Sequence, residues 1–170
     1  GKTTLLKHFS LQVVTHDLEA FLEIPIYIEL KRFVDSNLGQ LFPYILHILR
    51  EKYGISIKAP KLEQILTESD FILLLDGLDE TQFGTTPDDA KQNYENVVNA
   101  INDFVTRFPQ VQIVITARKS GWRDRLIRFY VYELPPFDIQ QAFDFIDNWF
   151  KFSNTSSQVN SEGLKHALLN

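Results

Sequence analysis

The 170 residues include no cysteine and no methionine. Without cysteine there are no disulfides, no thiolate nucleophile and no cysteine-ligated zinc, and the absence fits a reducing cytosol. An excess of basic charge is also missing: 17 Lys and Arg stand against 22 Asp and Glu, a net charge of −5. Phosphate backbones select basic surfaces, so nucleic acid is not expected as the main partner. Long apolar runs are absent as well. FILLL at 71–75 falls far short of the roughly 20 residues a membrane helix needs, and nothing reads as a signal peptide. The four histidines, His8, His16, His47 and His166, show no metal-ligand spacing, and no Ser–His–Asp case follows from spacing.

What is present suits one domain, or one domain and part of another. Hydrophobic residues make up 44% and phenylalanine alone contributes 14, so the core should be rich in aromatics. Residues 1–9 read as a helix leaving a glycine loop, and IPIYIEL (24–30) as a strand. Asn37 and Gln40 suggest a capping box before a helix that runs to Arg50 and ends at Gly54. A short helix is expected at 61–68. FILLL is a strand of the kind covered on both faces, stopping at Asp76-Gly77, and 81–88 reads as a loop. Tyr94, Val97, Val98, Ile101, Phe104, Val105 and Phe108 mark one face of a helix over 88–107, which Pro109 ends.

VQIVITA (111–117) is another strand, ending at Arg118, and Tyr130 to Leu134 reads as a last strand closed by Pro135-Pro136. Asp138 should cap a helix carrying Phe143, Ile146, Trp149 and Phe150, before a polar gap and a final helical piece. Strands alternating with helices argue for an α/β fold with a mostly parallel sheet. Residues 1–136 form the expected sheet domain, and 137–170 the start of a helical one. The basic stretch Arg118, Lys119, Arg123, Arg125 and Arg128, with Trp122, reads as a solvated loop.

Three segments carry chemistry. Gly1-Lys2-Thr3 matches the end of the phosphate-loop pattern G-x-x-x-x-G-K-[ST]. Glycine lets backbone N–H groups approach phosphate, and the helix that follows presents its positive end. Lys2 would add a point charge, the Thr3 hydroxyl would bind magnesium, and Thr4 would touch the innermost phosphate. FILLLDGLDE ends an apolar strand in acids: Asp76 fits a magnesium aspartate, Gly77 leaves room beside it, and Asp79 or Glu80 can orient or deprotonate a water. Arg118 ends a buried strand, where it would face a terminal phosphate if that strand neighbours the one before Asp76.

GKTTLL, IPIYIEL, FILLLDGLDE, IVITAR, YELPPF and a helix ending NWF, in that order, together resemble a NACHT-type nucleotide-binding domain of the STAND signalling NTPases. The resemblance spans about 1–150, with DGLDE its most specific piece. It implies a P-loop NTPase binding ATP or GTP with Mg2+, in which Asp76 serves the metal, Asp79 and Glu80 activate water, and Arg118 senses the γ-phosphate. The family's sensor reads Thr-Ser-Arg; here it is Thr116-Ala117-Arg118. Slow hydrolysis would drive a conformational switch in a cytoplasmic signalling or defence protein that forms a nucleotide-dependent homo-oligomer. An AAA+-like ATPase and a non-hydrolysing association scaffold are the alternatives.

The resemblance also implies a chain truncated at both ends. The first glycines of the phosphate loop and a central strand between 111–117 and 130–134 would precede Gly1. Effector and sensor domains would lie elsewhere in a longer protein.

Overall fold

Among the described residues, three runs of β-branched and apolar residues form strands: β1 (Ile24–Glu29), β2 (Phe71–Asp76) and β3 (Gln112–Ile115). The computed structural model describes residues 2–14, 24–68, 71–121, 125–136, 138–152 and 161–168. Gly1, His16, Trp122, Arg123 and most of the polar gap lie outside them, as does the side chain of Trp149. The strands make one parallel sheet in the order β1-β2-β3. All six residues of the central strand are buried, as an apolar run without alternation requires.

Seven α-helices are described: α1 (Lys2–Val14), α2 (Leu30–Asp35), α3 (Leu41–Tyr53), α4 (Ala59–Glu68), α5 (Pro87–Arg107), α6 (Ile139–Phe152) and α7 (Ser161–Leu168). Leu6 of α1 packs into a buried cluster with Ile72 and Leu74, flanked by Phe9 and Tyr27. That contact lays α1 on one face of the sheet. The other face presents Ile26, Ile28, Leu73 and Leu75, also buried. Helices α2, α3 and α5 pack on one another as a second layer. Phe108, which closes α5, stacks on Phe42 with centroids 5.7 Å apart.

Local chemistry sets the helix ends. Thr86 and Asp89 form a reciprocal capping box with Pro87 behind it, an N-terminal signal that replaces part of the loop expected at 81–88. Gly54 stops α3 at φ 66°, where a side chain would be strained. The capping box expected at Asn37 and Gln40 is not formed: Gln40 precedes α3 with no side-chain cap. Asn37 instead closes the unforeseen helix α2, at φ 55°, its N–H donating to the Val34 carbonyl at 3.1 Å. Asparagine tolerates this left-handed conformation better than most residues.

The expected strand at 130–134 is absent. Tyr130 and Tyr132 are almost fully exposed, and no strand among the described residues pairs with them. Strand-forming composition describes a fit to a pleated surface and needs a neighbour to act.

The chain divides into two compact units, Gly1–Arg128 and Phe129–Asn170. The first holds the sheet. In the second, α6 packs on α7, with Ile146 buried. Asp138 caps α6: its Oδ1 accepts from the Gln141 N–H at 2.8 Å, and Gln141 Oε1 accepts from the Asp138 N–H at 3.0 Å. Lys165 joins the two helices by pairing with Asp147 at 2.7 Å.

Candidate functional site

Strand register decides which side chains meet at the carboxyl end of the sheet. Side chains alternate along a strand, and register partners in a parallel pair share a face. Glu29 pairs with Asp76, and Tyr27 with Leu74. Val114 also pairs with Leu74, so Thr116, two residues on, continues that face. Glu29, Tyr27, Asp76 and Thr116 therefore stand together on the side covered by α1. Thr3 lies one helical turn before Leu6, the residue that anchors α1 to this face, so it too is directed at Asp76.

Asp76 is the centre of this group, buried to 8% exposure. Thr116 Oγ1 donates to its Oδ1 at 2.6 Å, and the Tyr27 hydroxyl donates to its Oδ2 at 2.8 Å. Thr3 lines the same cavity as Asp76, and its hydroxyl adds to the stabilisation of the carboxylate. Burial pushes the Asp76 carboxyl up, but the hydroxyls of Thr116, Thr3 and Tyr27 and the charge of Lys7 outweigh it and hold the group below the usual aspartate range. Tyr27 is pushed well above the ordinary tyrosine range, first by burial and then by its bond to Asp76.

Thr116 also ties the acidic turn to β3. Its Oγ1 accepts from the Gly77 N–H at 3.1 Å, and its carbonyl accepts from the Leu78 N–H at 2.9 Å. Gly77 sits at φ 77°, and a Cβ there would lie 3.1 Å from the Glu80 side chain. The glycine thus permits both the backbone turn and the return of Glu80 across it.

Thr3, Asp76 and Glu80 line one cavity of about 380 Å³, together with Lys7, Tyr27, Glu29, Lys31, Arg32 and Asp35. Lys2 and Thr4 stand in the first turn of α1, Lys2 half-buried and Thr4 exposed; neither is among the described lining residues. Asp79 and Arg118 are engaged with each other instead. Asp79 Oδ1 accepts from the Arg118 backbone N–H at 2.8 Å, and Oδ2 lies 3.4 Å from Arg118 Nε. Gly121 permits this approach, since a Cβ there would meet Asp79 Cβ at 2.4 Å.

Sequence reasoning passed over Tyr27, Lys7, Glu29 and Thr116 as site residues. The alternation in IPIYIEL placed Tyr27 and Glu29 on one face, a usable signal. Which strand that face would meet depends on register, which spacing does not reveal.

The oxygen donors Thr3 and Asp76 suit Mg2+, a hard ion that usually takes only one or two protein ligands and keeps several waters. Both line one cavity, which puts a hydroxyl and a carboxylate on the same space. Among the described residues no three His, Asp or Glu side chains converge as an all-protein metal cage. No helix among them is long and apolar enough to cross a membrane.

Comparison with known families finds a match to the model of the NACHT domain over residues 1–153. No curated protein and no solved structure matches the chain.

Proposed function

The chain belongs to the NACHT domain family of P-loop NTPases, and from that premise we propose that it is the nucleotide-driven switch of a multidomain signalling protein. Nucleotide binding and NTPase chemistry in signalling proteins come with the family. In the finer reading, a triphosphate, ATP or GTP, binds with Mg2+ at the carboxyl end of the sheet and is slowly hydrolysed. The observation that supports it most is the meeting of Thr3 and Asp76 at one cavity that Glu80 also lines.

Roles follow from position. Gly1, Lys2, Thr3 and Thr4 would cradle the phosphates at the start of α1, where unpaired N–H groups and the helix dipole favour anions. Thr3 and Asp76 would hold the metal, which when bound neutralises charge on the phosphate oxygens. Glu80, exposed above Gly77, would orient and deprotonate the attacking water. Asp79 and Arg118 act as a pair: Asp79 fixes the Arg118 backbone, and the guanidinium reports the terminal phosphate. The Arg118 side chain is 69% exposed and that of Asp79 10%, so solvent screens the pair from the arginine side. A multiply charged phosphate would therefore draw it away from Asp79.

A switch also requires that the γ-phosphate bind one conformation better than the other. Homo-oligomerisation, effector output and a helical domain from residue 137 onward belong to this proposal.

The test is nucleotide binding and turnover in the full chain. Lys2→Ala should weaken triphosphate binding at least tenfold. Glu80→Gln should keep binding and lower turnover by about 10²–10⁴, the range of a lost general base. Unchanged turnover in Glu80→Gln would refute its assignment, and unchanged affinity in Lys2→Ala would refute the phosphate loop.

A further inference from the structure

We propose that Tyr27 is a positioning residue for the metal, aiming the Asp76 carboxylate through its hydroxyl; this rests on the nucleotide and Mg2+ reading above. The geometry carries it. Asp76 ends a buried strand, and its two oxygens receive donors from opposite neighbouring segments. Oδ2 accepts from Tyr27 of β1 at 2.8 Å, and Oδ1 accepts from Thr116, just past β3, at 2.6 Å. Bonds from both sides fix the rotation of the carboxylate plane, which a buried aspartate held on one side alone would not have.

Tyr27 is itself held in place. It flanks the Leu6–Ile72–Leu74 cluster, and the ammonium groups of Lys7 and Lys52 lie 5.7 Å and 6.0 Å from its ring centroid. Each carboxylate oxygen offers two lone-pair directions. A single donor on each therefore leaves Asp76 able to face an ion while limiting how it can turn. Magnesium demands near-ideal octahedral geometry, so a carboxylate free to rotate holds it less well.

The experiment uses the full chain with Tyr27→Phe, which removes one oxygen and keeps the ring. A fluorescent triphosphate analogue is titrated in EDTA and then across Mg2+ concentrations. Bound Mn2+ is counted separately by electron paramagnetic resonance in the presence of a non-hydrolysable analogue. The expected result is a rise of about tenfold in the Mg2+ and Mn2+ midpoints, in line with lost outer-shell partners, with metal-free affinity held within twofold.

Unchanged or tighter metal midpoints would overturn the proposal. So would a parallel loss of metal-free affinity, or unfolding, because the effect would then report ring packing. If the unsubstituted chain shows no Mg2+-dependent triphosphate binding, the underlying function reading fails instead.

Discussion

Replacing Thr116 by valine tests whether one hydroxyl joins the acidic turn to the sheet. Valine keeps the shape and removes only the hydroxyl. Two hydrogen bonds go with it: the donation to Asp76 Oδ1 at 2.6 Å and the acceptance from the Gly77 N–H at 3.1 Å. A hydrogen bond to a charged group contributes about 1.5–3 kcal/mol, and a stranded buried donor costs about 1–3 kcal/mol. These overlap, so the expected loss is about 3 kcal/mol. At about 2–4 °C per kcal/mol for a chain of this size, Tm should fall by about 6–12 °C.

Thr116→Ser is the control, since it keeps the hydroxyl and loses one methyl, worth about 0.8 kcal/mol. Urea unfolding at pH 7 measures both variants. Because the folded Asp76 carboxyl lies below its unfolded value, its contribution is full above about pH 4 and is lost as pH falls through the folded value. The gap between the parent chain and Thr116→Val should therefore narrow below about pH 4. A valine variant no less stable than the serine variant, or a gap that widens in acid, would refute the reasoning.

Other substitutions probe the surrounding turns. Asp79→Asn keeps an acceptor for the Arg118 N–H and loses only the ion pair to the exposed Arg118 guanidinium, so it should cost about 1 kcal/mol. Asp79→Ala also removes the acceptor of that exposed N–H, which water can replace, and should cost about 0.5–1.5 kcal/mol more in the same urea assay. Gly121→Ala would push a methyl into Asp79 and should cost about 1–3 kcal/mol, with faster amide exchange measured at Arg118. Thr86→Ala removes half of the capping box and should destabilise by about 1 kcal/mol, seen as fraying of the first turn of α5 in hydrogen exchange.

Sequence reasoning located most elements because their signals are local. FILLL has no polar alternation, is short and stops at Asp76-Gly77, which together mark a strand buried on both faces. Gly54 can take a left-handed φ freely, so it marks the end of α3. DGLDE concentrates acids where a buried strand meets solvent. Sequence reasoning misplaced the capping residue before α3 because Asn37 suits an N-cap and a left-handed C-terminus equally well. The strand expected at 130–134 failed for another reason: β-branched and aromatic composition says nothing about whether a ladder partner is beside it.

Part of the chemistry lining the cavity was therefore legible in the chain: a threonine opening a helix, and an aspartate and a glutamate following an apolar run. Their grouping was not. Parallel register set Tyr27 and Thr116 on either side of Asp76, and the packing of Leu6 turned Thr3 toward the same carboxylate. The return of the chain past Gly121 gave Asp79 to Arg118. Composition and periodicity act over a few residues, whereas the hydrogen bonds of Tyr27 and Thr116 to Asp76 and of Arg118 to Asp79 join positions 39 to 49 apart. Only the folded sheet, which fixes neighbours by hydrogen-bonded register, could choose them.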